Sequence, residues 1–180
     1  FAGYEMPVQY PLGVLKEHLW TRENAGLFDV AHMGICFLQG PDHSTTANAL
    51  EQLVPADILN LKPGQQRYTQ LLGTDGGILD DLMVTRAPEP TSDGSLVLVV
   101  NGACKDGDYA HIRANLPAGV NLFVASERAL LALQGPRAAE VLAALIPDAA
   151  ALGFMTGAYA TLDGATVFIT RSGYTGEDGY

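Results

Sequence analysis

The sequence predicts an α+β fold with largely antiparallel sheets and flanking helices. Three observations carry this. Many segments are β-prone, and turn signals of the hairpin type, such as Thr74-Asp75-Gly76-Gly77, separate them. Helical segments fall between some strands, without the strict strand-helix alternation of a parallel sheet. Hydrophobic residues make up 48% of the chain and charged residues 17%, a balance that supports a packed core.

Each element has its own signal. Phe1 to Pro11 is aromatic and proline-rich without a period and reads as extended. Gly13 to about Ala25 turns helical, with Val14, Leu15, Leu19 and Trp20 on one face and Gly26 placed to end it. An extended stretch then runs from Leu27 to Leu38. Gly40-Pro41-Asp42 opens a helix whose apolar stripe is Ala47, Leu50, Leu53 and Val54, and Pro55 stops it. Arg67–Leu72 and Ile78–Arg86 read as the two arms of a hairpin, and Ala87–Gly94 as an exposed polar loop. Leu96–Val100 is a buried strand. Lys105–Leu116 is a helix that turns Tyr109, Ile112 and Leu116 to the core. Val120–Val124 and Ala129–Leu133 are further strands, and Pro136 opens a helix to about Leu145. Thr166–Thr170 is the last strand and leads into a glycine-rich end.

Charge and cysteine usage exclude several classes. The formal net charge is -10, and phosphate backbones and anionic membranes both require clustered Lys and Arg. Neither nucleic acid nor a membrane is expected as a partner, and a small-molecule substrate is compatible. No apolar run is long enough to span a bilayer. Cys36 and Cys104 lie outside any CxxC or metal-like spacing, so both are expected to be reduced and unpaired. The chain starts at Phe1 without a methionine, so the native start is expected upstream and a removed targeting segment stays open.

Three segments could carry chemistry. In Gly76-Gly77-Ile78-Leu79-Asp80-Asp81-Leu82-Met83-Val84, two carboxylates sit inside an apolar strand. Alternation turns one inward and one outward, and the inward one needs hydrogen bonds or a proton. Desolvation would raise its pKa and suit it to proton traffic or to a ligand N–H. The alternative is that both acids bond backbone amides at the hairpin end. In Arg171-Ser172-Gly173-Tyr174-Thr175-Gly176-Glu177-Asp178-Gly179-Tyr180, glycines permit close backbone approach to a ligand and two tyrosines offer flat faces. That segment lacks the spacing of a phosphate loop, and a plain turn is the alternative. In Asp29-Val30-Ala31-His32-Met33-Gly34, His32 is a base or a satisfied core residue. His18, His43 and His111 are isolated, so no metal site is expected. There is no GxSxG elbow.

Seven segments in order resemble one family. They are Phe1 to Pro7, Leu27 to Gly34, Leu61-Lys62-Pro63-Gly64, Gly76 to Leu82, Val99-Val100-Asn101, Leu133-Gln134-Gly135-Pro136 and Ser172 to Gly179. Together they look like the T-protein family, the tetrahydrofolate-dependent aminomethyltransferases of the glycine cleavage system. Ala31 stands where that family usually has Ser.

The resemblance implies a three-domain cloverleaf, of which this chain holds most of the first two. Residues 1–36 with 125–180 would form the first, discontinuous folate-binding domain, and 37–124 the second, inserted α+β domain. The implied reaction moves the one-carbon unit of an aminomethyl-lipoyl group on the partner H-protein to tetrahydrofolate, giving 5,10-methylenetetrahydrofolate and ammonia. By position Asp81 matches the family's key acid and takes the inward, catalytic role, with Asp80 structural or partly exposed. Tyr68, Met83, Val99, Asn101 and Tyr174 match or neighbour pterin-pocket positions. A pterin-anchoring glutamate would follow Tyr180, so the chain alone is expected to be inactive. The implied compartment is the cytoplasm in a bacterium or the mitochondrial matrix in a eukaryote. Related frameworks leave alternatives: the folate domain of dimethylglycine and sarcosine oxidases, or a non-catalytic folate-binding paralogue. The cysteine-containing loop of the iron–sulfur-assembly paralogues is replaced here by Ser172 to Gly179.

Overall fold

The computed structural model describes all residues, 1–180. Its sheets pair exclusively in antiparallel fashion, as the turn signals predict. The chain divides into two compact units: Phe1–Ala31 with Ala129–Tyr180, and His32–Arg128. The boundaries expected after residues 36 and 124 fall elsewhere. The first would cut through a six-residue strand, Gly34–Gln39, whose ladder bonds hold it in one sheet.

The unit His32–Arg128 is built on β2 (Gly34–Gln39), β3 (Gln66–Leu72), β4 (Ile78–Arg86), β5 (Ser95–Val100) and β6 (Asn121–Val124). They form one five-stranded sheet in the order β3-β4-β5-β2-β6. Two helices accompany them, α2 (His43–Leu50) and α3 (Lys105–Asn115). Alternation fills the core from one face: Cys36 and Leu38 from β2, Leu82 and Val84 from β4, Leu96, Leu98 and Val100 from β5. Leu50, Ile58, Leu61, Tyr109 and Ile112 close over them. Asp42 caps α2 by accepting from the Thr45 amide at 2.8 Å, which satisfies a donor the helix start leaves open. The β3–β4 hairpin closes where Gly73 N donates to Gly77 O at 2.8 Å and Gly77 N donates to Asp75 Oδ1 at 3.0 Å. Both strands thereby reach the register that pairs Tyr68 with Met83.

The unit Phe1–Ala31 with Ala129–Tyr180 holds α1 (Val14–Glu23), β1 (Gly26–Asp29), β7 (Leu131–Gln134), α4 (Ala138–Ala143), α5 (Pro147–Ala150), β8 (Thr156–Leu162) and β9 (Ala165–Arg171). β1 pairs with β7, and β8 with β9. Leu142, Ile146 and Ala149 make its core, with Leu133, Leu162, Val167, Ile169 and Tyr180 against them. The chain end folds back onto β7: Leu133 and Tyr180 exchange two backbone hydrogen bonds, each 2.8 Å.

Two expectations need correction, and one strand was not foreseen. The stretch Leu27–Leu38 is two strands, β1 and β2, in different units, because the chain leaves one sheet at residue 30 and enters the other at 34. The apolar face expected on α1 enters neither core, and Val14, Leu15, Leu19 and Trp20 are all exposed. β8 is an addition. Its alternation is diluted by small residues, as in Ala158-Tyr159-Ala160-Thr161, although Asp163-Gly164 after it is a hairpin signal. No helix of the structure is long and apolar enough to cross a membrane.

Candidate functional site

The two acids of β4 face opposite ways, and the inward one is Asp80. Asp80 shares the face of Leu82 and Val84, is 9% exposed, and lies beneath α3. Asp81 is half-buried on the other face. This reverses the expected burial order. The physical reason is the register of β4. Leu82 and Val84 must point to the helices to fill the core, and Asp80, two residues earlier, goes with them.

Asp80 carries this position by hydrogen bonding. Its Oδ2 accepts from the Asn101 backbone N–H at 3.0 Å, and its Oδ1 from Asn101 Nδ2 at 2.8 Å. Burial is the largest single influence and pushes its pKa up, but the Asn101 bonds and a bond from Asp108 outweigh it. Asp80 therefore titrates below the ordinary carboxylate range, not above it. The raised carboxyl is Asp108, which the sequence reading overlooked. Burial, then the hydrogen bond and charge of Asp80, push it up to about 7. Position 108 does sit in the first turn of α3 beside the core residue Tyr109, and that neighbourhood was the available signal.

Asp81 gathers the expected ligand residues of its own unit. Asn101 Nδ2 donates to Asp81 Oδ1 at 2.7 Å and to the Asp81 carbonyl at 3.1 Å. The Tyr68 hydroxyl donates to the Asp81 carboxylate, which holds the phenol above its ordinary pKa. Met83 lies two residues along β4 on the same face, and the register aligns Tyr68, Met83 and Val99 across three strands. Ile35 of β2 extends that row. A carboxylate fixed by two donors thus stands alongside a strip of flat and apolar side chains. Asn101 itself is placed by the turn after β5. There the Cys104 and Lys105 amides donate to Asn101 O at 3.1 and 2.9 Å. A Cβ on Gly102 would come 2.8 Å from the His32 carbonyl, so only glycine fits.

Tyr174 belongs to the other unit, in the loop after β9, and is exposed. That loop is organised by Gln134, another residue the sequence reading did not single out. Gln134 is 1% exposed, and its Oε1 accepts from Tyr174 N at 3.0 Å, Thr175 N at 3.3 Å and Thr175 Oγ1 at 3.1 Å. Gly179 lies directly against the Gln134 amide, which leaves no room for a Cβ. Arg171 and Asp178 form an ion pair across the same loop. The available signal was Gln134 itself, a polar residue at the end of an apolar strand.

The remaining candidates lie against backbone groups or carry them. The His32 carbonyl accepts from Lys105 Nζ at 3.1 Å, and His43 Nε2 and His111 Nε2 lie 3.1 and 2.9 Å from the carbonyls of Leu59 and Leu72. No group of three or more His, Cys, Asp or Glu side chains is placed to hold a metal. Cys36 and Cys104 are both unpaired.

The chain is 42% identical over 99% of its length to an aminomethyltransferase of Parasynechococcus marenigrum. It is 38% identical over its whole length to a mitochondrial aminomethyltransferase of Dictyostelium discoideum. It spans about half of these relatives, 49% and 45%. Among solved structures, the glycine cleavage system aminomethyltransferase T of Bartonella henselae superposes with a TM-score of 0.85 at 44% identity, over 99% of this chain and 47% of that one. A heterotetrameric sarcosine oxidase of Corynebacterium shares the fold, with a TM-score of 0.61 at 16% identity, over 92% of this chain and 80% of that one. The family described as the GCVT N-terminal domain matches residues 1–180, and the chain belongs to that family.

Proposed function

We propose that the protein containing this chain is a tetrahydrofolate-dependent aminomethyltransferase of glycine cleavage, and that Asp81 is its acid in the reacting region. The observation that carries this is the Asp81 carboxylate, held by Asn101 and Tyr68 beside the Tyr68–Met83–Val99 row. The row offers an apolar strip for a fused aromatic ring, and Asp81 has lone pairs left to accept a ligand N–H. Tyr174 keeps its family-position assignment as a pterin contact. The partner would be the lipoyl-bearing H-protein, in the bacterial cytoplasm or the mitochondrial matrix.

The proposed chemistry balances without an oxidant. The carbon of the aminomethyl group breaks its bonds to the lipoyl sulfur and to the amine nitrogen. It forms two new bonds to the folate nitrogens N5 and N10. The two protons those nitrogens lose are taken up by the sulfur and the leaving ammonia. A carboxylate fixed beside the folate nitrogens orients them and relays protons in such a transfer.

The test is ammonia release by the full-length protein supplied with aminomethyl-loaded H-protein and tetrahydrofolate. Release dependent on both supports the reading. Folate binding by calorimetry without any release would make the protein a binding module instead.

A further inference from the structure

One buried acid has no part in this reading. Asp108, in the first turn of α3, is 3% exposed, its Oδ2 is buried without a hydrogen-bond partner, and its carboxyl lies against that of Asp80, with which it shares a hydrogen bond. Two carboxyl groups in contact and away from water cannot both carry charge, so one proton lies between them. Asp108 holds that proton and donates it, because Asp80 is the acid stabilised as an anion by Asn101. The chain of contacts then runs outward. Asp80 accepts from both the backbone and the side chain of Asn101, and the Asn101 side chain turns its amide to Asp81 at 2.7 Å.

We propose that Asp108 is a positioning residue, whose shared proton keeps Asp80 in place as the acceptor that orients Asn101 and, through it, the Asp81 carboxylate. The role of Asp81 rests on the reading above, whereas the arrangement of Asp108, Asp80 and Asn101 does not. Loss of the proton would set two anions side by side and drive Asp80 away from Asn101. The ionisable groups around Asp108 are Asp80 on β4, Cys36 on β2, and Cys104 and Tyr109 at and within α3. Arg113 acts on Cys36 and Tyr109 further along the helix. Of these, Asp80 is the one that bonds Asp108.

The experiment uses the full-length protein, labelled with nitrogen-15, as wild type, Asp108→Asn and Asp108→Ala. Asn at 108 can donate an N–H to Asp80 but cannot titrate. The backbone and side-chain amide signals of Asn101 should move together in the wild type, with a midpoint near 7, the value to which Asp108 is raised. They should hold still through neutral pH in Asp108→Asn. Turnover should fall on the alkaline side of that midpoint in the wild type, and the fall should be absent from Asp108→Asn. Asp108→Ala should lose more turnover than Asp108→Asn, with the loss in kcat rather than in the folate KM. If Asp108→Ala does not fold, Asp108→Asn still decides the matter. Asn101 signals that ignore pH in the wild type, or titrate identically in Asp108→Asn, overturn the proposal. A wild type that releases no ammonia while its Asn101 signals titrate as stated overturns the proposed reaction and supports the positioning arrangement.

Discussion

The side-chain amide of Asn101 bridges to Asp81 across 2.7 Å while the same residue clamps Asp80 through its backbone and its amide. One asparagine therefore connects an acid of the core face with an acid of the opposite face of β4. One set of hydrogen bonds thus reaches both sides of the sheet.

Asn101→Ala should damage both faces. It leaves Asp80 with the Asn101 backbone N–H and Asp108, and Asp81 without its amide donor but still with Tyr68. Removing one partner of a buried charged acceptor costs roughly 1–3 kcal/mol. Chemical denaturation should show a loss of that size with an unchanged m value, and turnover of the full-length protein should fall as well. A stability equal to wild type would mean that the three amide contacts carry no net energy.

Asp108 makes a signed prediction about stability and pH. Its folded pKa lies above its unfolded one, so between about pH 4 and pH 7 the folded state holds a proton that the unfolded chain has released. The contribution is present in full below the unfolded value and is lost as pH rises through about 7. Asp80 has the opposite sign. Its folded pKa is depressed, so its contribution is lost as pH falls, below the ordinary carboxylate range. In Asp108→Asn the Tm should flatten between pH 4 and pH 7 while the loss at lower pH remains. An unchanged slope in the variant would place the proton elsewhere.

Much of the large unit was legible because its signals are local. The β3–β4 hairpin follows from Thr74-Asp75-Gly76-Gly77, and the core face of α3 from Tyr109 and Ile112 one turn apart. That Asp81, Tyr68, Met83 and Val99 share a face follows from alternation once the register is known. Which acid of β4 points to the helices was not legible. That depends on Leu82 and Val84 filling a core assembled from β2, β5 and two helices, which are distant in sequence. The roles of Asp108 and Gln134 were not legible for the same reason. A buried polar residue is recognised by its partners, and theirs lie 28 positions away at Asp80 and about 40 away at Tyr174 and Thr175.

Gln134→Ala tests the loop after β9. Its Oε1 is the shared acceptor for the Tyr174 and Thr175 amides and the Thr175 hydroxyl. Without it these donors lose their partner inside a folded loop, at a cost of roughly 1–3 kcal/mol. Hydrogen exchange at the Tyr174 and Thr175 amides should speed up well beyond the change elsewhere in the same unit. If Tyr174 contacts the pterin, the folate KM should rise with kcat nearly unchanged. Exchange rates equal to wild type would show that the loop is held by the Arg171–Asp178 pair instead.

Asp81→Asn separates chemistry from binding in the full-length enzyme. The amide has nearly the shape of the carboxylate, its oxygen can still accept from Asn101, and its nitrogen can donate to the Tyr68 oxygen. It carries no charge and takes up no proton. Because Asp81 is only half-buried, the stability change should be small, about 0.5–1.5 kcal/mol for a weakened hydrogen bond. If Asp81 acts in the proton transfers, kcat at saturating tetrahydrofolate should fall by about 10²–10⁴-fold, the usual cost of losing a general acid–base group. Folate Kd by calorimetry should change far less, since the Tyr68–Met83–Val99 row is intact. If Asp81 anchors the pterin alone, the pattern inverts, with a weaker Kd and near-normal turnover at saturation. The Tyr68 phenol adds an independent check. Asp81 is the largest cause of its raised pKa, so its ultraviolet titration should shift downward in the variant. A phenol that titrates unchanged would break the contact on which the site is built, whatever the kinetics.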